Sequence, residues 1–201
     1  MKLKVLFALA AVGAFASYVA RADLITFDAS DPNTTWWDDH WDAYFDSPIT
    51  DAYPLTFGVN VTFAGLNWWP WVADVTGGGG FAYGAGGVAT ITFDSPVEVP
   101  SFWMGNSGDG DPSDDTIMFF LGGSQVGSTI ASPVPPATGY PDSWMEVTDG
   151  VGLTIDQIVL GGDFTEGGID GITVNQIPEP ATMALVLMGF AGLGLALRRK
   201  S

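Results

Sequence analysis

The stretch TIMFFL-GGS-QVGSTI, residues 116–130, predicts a β-hairpin and with it the class of the fold. Thr116–Leu121 and residues 125–130 are rich in the β-branched and aromatic side chains that strands favour. The Gly-Gly-Ser segment between them suits a tight turn, because glycine adopts the left-handed backbone conformations that short hairpins require. We therefore expect two antiparallel strands here.

Further short strand patterns lie on both sides of this hairpin. Residues 55–63, LTFGVNVTF, alternate large apolar with small or polar side chains, as in a strand with one buried face. No amphipathic helical period appears between residues 23 and 177, and the glycines of residues 77–87 predict a surface loop. We therefore predict an all-β ectodomain, a β-sandwich or jelly roll. The other strand-like runs are residues 24–27, 88–93, 144–147, 153–160 and 169–174.

The charge balance excludes one class of function. The 201 residues include 6 Lys+Arg against 23 Asp+Glu, a formal net charge of −17. Nucleic-acid-binding proteins need basic surface to neutralise phosphates, so we expect no nucleic-acid partner. Cysteine is absent and His40 is the one histidine, which argues against disulfides, thiolate metal sites and a histidine-based catalytic centre.

The acidic residues are concentrated in the middle of the chain. Residues 23–177 contain 22 Asp and Glu but neither Lys nor Arg. Self-repulsion among so many like charges opposes folding. Either the acids lie on solvated loops, or cations such as Ca²⁺, which bind carboxylate oxygens, neutralise some of them.

The N-terminus has the three-part pattern of a secretory signal peptide. Lys2 and Lys4 precede an apolar stretch at residues 5–20, and Ala20 and Ala22 provide the small residues of a cleavage site. We predict a signal peptide at residues 1–22, cleaved after Ala22. The alternative is an N-terminal anchor that is not cleaved.

The C-terminus has the pattern of a transmembrane helix. Residues 181–197 are 17 residues without a charge, and a helix of that length is about 26 Å long, enough to cross a bilayer core. The basic residues at 198–200 follow at once, which predicts that this end stays cytoplasmic and that the preceding chain lies outside. The alternative is a helix buried in the core. An apolar helix that ends in three basic residues at the chain terminus, however, has little to pack under.

The residues before this apolar segment resemble a known sorting signal. Pro178, Glu179 and Pro180, followed by the apolar segment and the basic tail, resemble the PEP-CTERM signal of exported bacterial surface proteins. The resemblance implies that an exosortase, a membrane enzyme, recognises the Pro-Glu-Pro motif and removes the helix. It also implies association with exopolysaccharide. We thus expect a signal peptide (1–22), an acidic β ectodomain (23–177) and a sorting signal (178–201).

An acidic loop before the predicted hairpin is a candidate calcium site. Asp109, Asp111, Asp114 and Asp115 place four carboxylates within seven residues, among turn-forming glycine and proline. Such a loop can direct several oxygens at one Ca²⁺ ion. The spacing does not match an EF-hand, since Phe120 stands where the bidentate glutamate is required. A solvated acidic turn is the alternative.

Two tryptophan clusters are candidate sugar contacts. Neighbouring side chains on a strand point to opposite faces, so one ring of Trp36–Trp37 and one of Trp68–Trp69 would face away from the core. Exposed indoles beside carboxylates suit sugar binding, because the rings cover apolar C–H groups and the acids accept hydroxyl protons. The alternative is that these rings pack at the edge of the core.

The sequence predicts a non-enzymatic protein of the cell surface or extracellular matrix. We expect it to be held transiently in the inner membrane, processed by exosortase, and then associated with exopolysaccharide. A dedicated carbohydrate-binding module is the first alternative. The second is a glycoside hydrolase, which needs two carboxylates across a cleft. No local motif singles out such a pair, and glutamates outside the sorting motif are few: Glu98, Glu146 and Glu166.

Overall fold

In a computed structural model, the described part of the chain forms twelve β-strands. The structure describes residues 21–27, 47–49, 52–69, 81–84, 86–106, 115–134, 144–162 and 167–177. Within these ranges there is no helix, so the all-β prediction is confirmed for them. The strands are β1 (Ala22–Ile25), β2 (Ser47–Pro48), β3 (Tyr53–Pro54), β4 (Asn60–Ala64), β5 (Leu66–Trp69), β6 (Phe81–Gly84), β7 (Ala89–Asn106), β8 (Thr116–Leu121), β9 (Ser124–Ala131), β10 (Trp144–Val147), β11 (Thr154–Gly161) and β12 (Gly167–Gln176).

The strands join in one hydrogen-bonded sheet. Its main path runs β2-β5-β6-β12-β7-β11-β8-β9, with β1 paired to β12, β10 and β4 paired to β7, and β3 paired to β4. A compact unit spans Ala22–Asn175. A second unit comprises Met1–Arg21 and Gln176–Ser201, of which the structure describes only Arg21, Gln176 and Ile177.

The predicted hairpin is confirmed as the antiparallel pair β8–β9. Leu121 pairs with Ser124, so the turn consists of Gly122 and Gly123, and the third turn residue of the prediction begins β9 instead. Both glycines have positive φ, 58° and 77°. This backbone conformation matches the twist of the two strands, and only glycine adopts it without steric cost.

Strand β7 continues far beyond the predicted residues 88–93. It is 18 residues long and changes neighbours along its length. Strands β4 and β11 flank its first part, up to Phe93 and Glu98 respectively, whereas β10 pairs with residues 102–105. The change falls around Pro100, which has no N–H to donate to a ladder. Strand β7 therefore links a part of the sheet containing β4 and β11 to a part containing β10.

Two segments differ from the prediction because glycine alters the local backbone. Residues 55–59 form a turn rather than the start of a strand: the Leu55 N–H donates to the Val59 carbonyl at 2.8 Å, and Gly58 has a φ of 86°. Strand β4 begins only at Asn60. Conversely, β6 lies within the predicted glycine-rich surface loop, pairs with β5 and β12, and carries the fully buried Ala82.

One cluster of buried apolar side chains includes residues from both parts of the sheet. Phe27, which follows β1, packs edge-to-face against Phe63 of β4, with ring centroids 5.5 Å apart. The chain also passes close to itself at Gly65, where an added Cβ would lie 2.5 Å from the Val88 carbonyl oxygen. A side chain larger than hydrogen does not fit there.

Carboxylates of the described residues bind backbone N–H groups of turns and of the first residue of β4. Hydrogen bonds with a charged acceptor are stronger than neutral ones, so they hold these connections without any Lys or Arg partner. This pairing explains how a domain without basic residues accommodates part of its negative charge. Asp23 accepts from Thr56, Asp94 from Asn60 (3.1 Å), Asp156 from Gly122 (2.7 Å), and Glu98 from Gly152 (2.9 Å).

Candidate functional site

The last strand leads directly to the predicted sorting motif. Strand β12 ends at Gln176, two positions before Pro178. Its final residues pair antiparallel with β1, from Ile25 opposite Ile172 to Ala22 opposite Asn175. Because Ile25 and Ile172 are fully buried, this ladder fixes the chain immediately before the motif.

The same ladder brings the start and the end of the domain together. The pair of Ala22 with Asn175 places the predicted signal-cleavage site beside the exit of the chain. Next to it, the Gln176 N–H donates to the Arg21 carbonyl at 2.9 Å. Strand β12 has already ended at Gln176, two residues before Pro178, which has no N–H to donate to a ladder.

Comparison with protein-family models decides the nature of this segment. Residues 176–200 match the model described as the PEP-CTERM protein-sorting motif. The chain carries a PEP-CTERM sorting motif. The predicted resemblance is thereby confirmed for Pro178, Glu179 and Pro180, which lie inside the match. No curated protein matches the sequence.

The PEP-CTERM motif implies a processing partner and a route for the chain. It is the recognition signal of exosortase, so exosortase is the implied processing enzyme. It implies an exported protein that is sorted at the membrane and delivered to the cell surface.

The two predicted membrane-directed segments lie outside the described residues. These are the signal peptide at 1–22, of which only residues 21 and 22 are described, and the transmembrane helix at 181–197. In the ranges that the structure describes, no helix has the length and apolar character to cross a membrane.

Only one member of the predicted calcium loop is described. Asp109, Asp111 and Asp114 lie outside the described residues. Asp115 is 3% exposed, and its carbonyl accepts the Ser132 N–H at 2.9 Å, which fixes it at the base of the β8–β9 hairpin. Among the described residues there is no group of three His, Cys, Asp or Glu that could hold a metal. The calcium site stays a prediction.

The structure places Trp68 in the core. It is 7% exposed, and its indole Nε1 donates to the Phe27 carbonyl at 2.8 Å. Trp68 is therefore buried in the core, and it is not available to a sugar. The backbone of Trp69 pairs with Phe81 in β6, but its side chain is not described. Trp36, Trp37 and His40 lie outside the described residues.

Two tryptophans that the sequence analysis did not single out are partly exposed. Trp103 on β7 and Trp144 on β10 lie in neighbouring paired strands, near the exposed Glu146. The alternation of WMEV places Trp144 and Glu146 on one face of β10. That signal was in the sequence, but the pairing of β10 with the distant end of β7 was not.

Proposed function

We propose that this protein is a non-enzymatic component of the cell surface or extracellular matrix that associates with exopolysaccharide after exosortase processing. The observation that carries the proposal is the PEP-CTERM motif at residues 176–200, placed directly after the last strand of an all-β domain. A domain joined this closely to its sorting signal is the part delivered to the surface. Its own binding properties therefore determine what the protein does there.

Each segment has a separate role in this proposal. The signal peptide at 1–22 starts export, and the apolar segment at 181–197 holds the chain in the inner membrane. Exosortase then recognises Pro178, Glu179 and Pro180 and removes that segment. The β1–β12 ladder keeps the domain folded up to the motif during this step, since Ile25 and Val174 are fully buried within it.

We infer that the domain itself is a β-sandwich. The partner change along β7 supports this arrangement, because it divides the strands between two parts of the sheet. The edge-to-face contact of Phe27, which follows β1, with Phe63 of β4 joins side chains from two strands that do not pair with each other. A sandwich leaves the outer faces of both parts for partners.

The charge of the domain limits the kind of polymer it binds. Residues 23–177 contain no Lys or Arg, so no basic side chain is available to attract an acidic polysaccharide. A neutral polymer can bind directly. An anionic polymer needs a bridging cation, and Ca²⁺ at Asp109, Asp111, Asp114 and Asp115 would supply it.

A carbohydrate-binding module is the second candidate function. It is favoured by the partly exposed Trp103 and Trp144, because aromatic rings at a surface are typical of sites that take sugar rings. The two candidates differ in measurable affinity. A module binds a defined oligosaccharide saturably, whereas a matrix component binds the polymer through several weak contacts.

Co-sedimentation tests the proposal. The processed protein is purified from the source organism and centrifuged with that organism's own exopolysaccharide, with millimolar Ca²⁺ or with a chelator. We expect the protein in the pellet only when polysaccharide is present. Protein that stays in the supernatant under both conditions would remove the polysaccharide from the proposal and leave a surface protein with a protein partner.

A further inference from the structure

The outer face of the β7–β10 pair carries two indole rings and a carboxylate. Residues opposite each other in an antiparallel pair share a face. Trp144 is opposite Gly105, and Glu146 is opposite Trp103, so these four positions form one face. The alternate positions, Phe102 and Val147, are 1% and 2% exposed and belong to the core. The face that carries the two tryptophans therefore points away from the core.

The indole ring of Trp144 packs against the backbone at Gly105. A Cβ built at Gly105 would lie 2.8 Å from Cδ2, 2.8 Å from Cε3 and 3.0 Å from Cε2 of the Trp144 indole. Three ring atoms at nearly equal distance mean that the indole lies face-on over the glycine. Any side chain at this position would displace the ring. The glycine thus holds one face of the ring flat against the strand, and the part of the indole that stays exposed is the part a ligand would contact.

Trp103 and Glu146 complete the surface. Trp103 is diagonal to Trp144 across the two strands, at a distance that large aromatic side chains span. Both rings are partly exposed, and Glu146 is exposed beside them. The face therefore combines two flat apolar surfaces with one carboxylate that accepts hydrogen bonds.

We propose that Trp103, Trp144 and Glu146 form a binding platform for the sugar rings of a polysaccharide that carries no negative charge. The indoles would stack on the apolar C–H faces of successive rings, and the Glu146 carboxylate would accept hydroxyl or amino protons. This inference rests on the proposed association with exopolysaccharide and specifies where the contact is made.

The charge argument selects the class of sugar. Glu146 repels a carboxylate-bearing ring, and the absence of Lys and Arg from residues 23–177 leaves no side chain to compensate. Neutral rings carry no such penalty, and amino sugars gain from the negative field of the domain. Uronic acid polymers are therefore excluded from this platform.

The test compares matched variants of the processed protein, produced in the source organism, for binding to its purified exopolysaccharide. Trp144→Ala and Trp103→Ala each remove one ring. Gly105→Ala keeps both rings but displaces Trp144. Met145→Ala is the control, because Met145 is 41% exposed on the same strand but lies on the alternate face. Circular dichroism and melting temperature verify the fold of each variant.

We expect each of Trp144→Ala, Trp103→Ala and Gly105→Ala to weaken binding about ten-fold or more, and Met145→Ala to leave it unchanged. Glu146→Gln, an exposed substitution that keeps the side-chain size, is the second line of evidence should a tryptophan variant misfold. It should weaken binding several-fold. Cellohexaose should compete with the polymer, and an oligogalacturonate of equal length should not.

The possible failures are distinguishable. Wild-type binding that none of the four platform variants changes would overturn the platform and leave the proposed function standing. Equal competition by oligogalacturonate would overturn the charge selection on which the platform depends. A wild-type protein that does not bind the polysaccharide at all would overturn the proposed function, and the platform with it.

Discussion

Substitution of Trp68 by phenylalanine separates the core tryptophan from the proposed surface platform. Trp68 is 7% exposed, and its indole N–H binds the Phe27 carbonyl at 2.8 Å. Phenylalanine keeps an aromatic ring in the core but removes that donor and part of the buried volume. We expect Trp68→Phe to lower the stability of the domain and to leave polysaccharide binding unchanged.

The expected loss follows from two contributions. Removing the donor from a buried carbonyl costs about 1–3 kcal/mol. The smaller ring leaves a partial cavity, which adds about 1–2 kcal/mol, a fraction of the cost of a full truncation to alanine. Together these lower the free energy of unfolding by about 2–5 kcal/mol. A domain of this size is stable by about 5–15 kcal/mol, so the variant should still fold.

Urea unfolding and calorimetry measure this change. The melting temperature should fall by about 4–20 °C, since each kcal/mol corresponds to about 2–4 °C in a domain of this length. Trp144→Phe is the matched control, because it changes a partly exposed ring of the proposed platform. It should alter binding more than stability. A Trp68→Phe protein of unchanged stability but impaired binding would refute the placement of Trp68 in the core.

Three further predictions follow from the backbone, the acidic loop and the ends of the chain. Gly65→Ala should lower the free energy of unfolding by more than about 2 kcal/mol, because its added Cβ meets a backbone carbonyl. Gly58→Ala has open space around the added Cβ and should lower it by only about 1–2 kcal/mol, because of its positive φ. Equal losses of the two variants in urea titrations would contradict this steric reason. If Ca²⁺ raises the melting temperature, Asp109→Asn with Asp111→Asn should abolish the rise, and an undiminished rise would place the ion elsewhere. The intact mass of the mature protein should show that residues 1–22 and 181–201 have been removed. A mass that includes the C-terminal segment would contradict exosortase processing.

Local signals predicted the parts of the fold that depend on local geometry. The β8–β9 hairpin needs only two strand-forming runs and a turn that glycine can adopt, and all of these are adjacent in the sequence. Strand β6 was missed because glycines surround it and its order comes from pairing with β5 and β12. The extension of β7 past Pro100 was missed for the same reason: neighbours from distant segments, rather than local propensity, keep it in the sheet.

The candidate sites also differ in whether their residues are adjacent in the sequence or brought together by the fold. The sorting motif is a continuous segment, so the sequence alone predicted it. The alternation rule predicted that one ring of Trp68–Trp69 faces inward, but it could not say which, since that depends on the register with β6. The proposed platform joins residues 103 and 144, which are 41 positions apart, and only the β7–β10 register shows that they share a face.

The absence of basic residues connects the fold to the proposed function. Four described carboxylates accept backbone N–H groups, three of them from turns and one from the start of β4, so the domain folds without ion pairs to Lys or Arg while the negative charge remains on its surface. Such a surface repels acidic polymers unless a divalent cation intervenes. Whether polysaccharide binding depends on Ca²⁺ therefore distinguishes a contact through the platform from a contact through the acidic loop. Binding that survives a chelator should be lost in the Trp144→Ala variant, because it uses the platform, whereas binding that the chelator abolishes should depend on Asp109 and Asp111 instead.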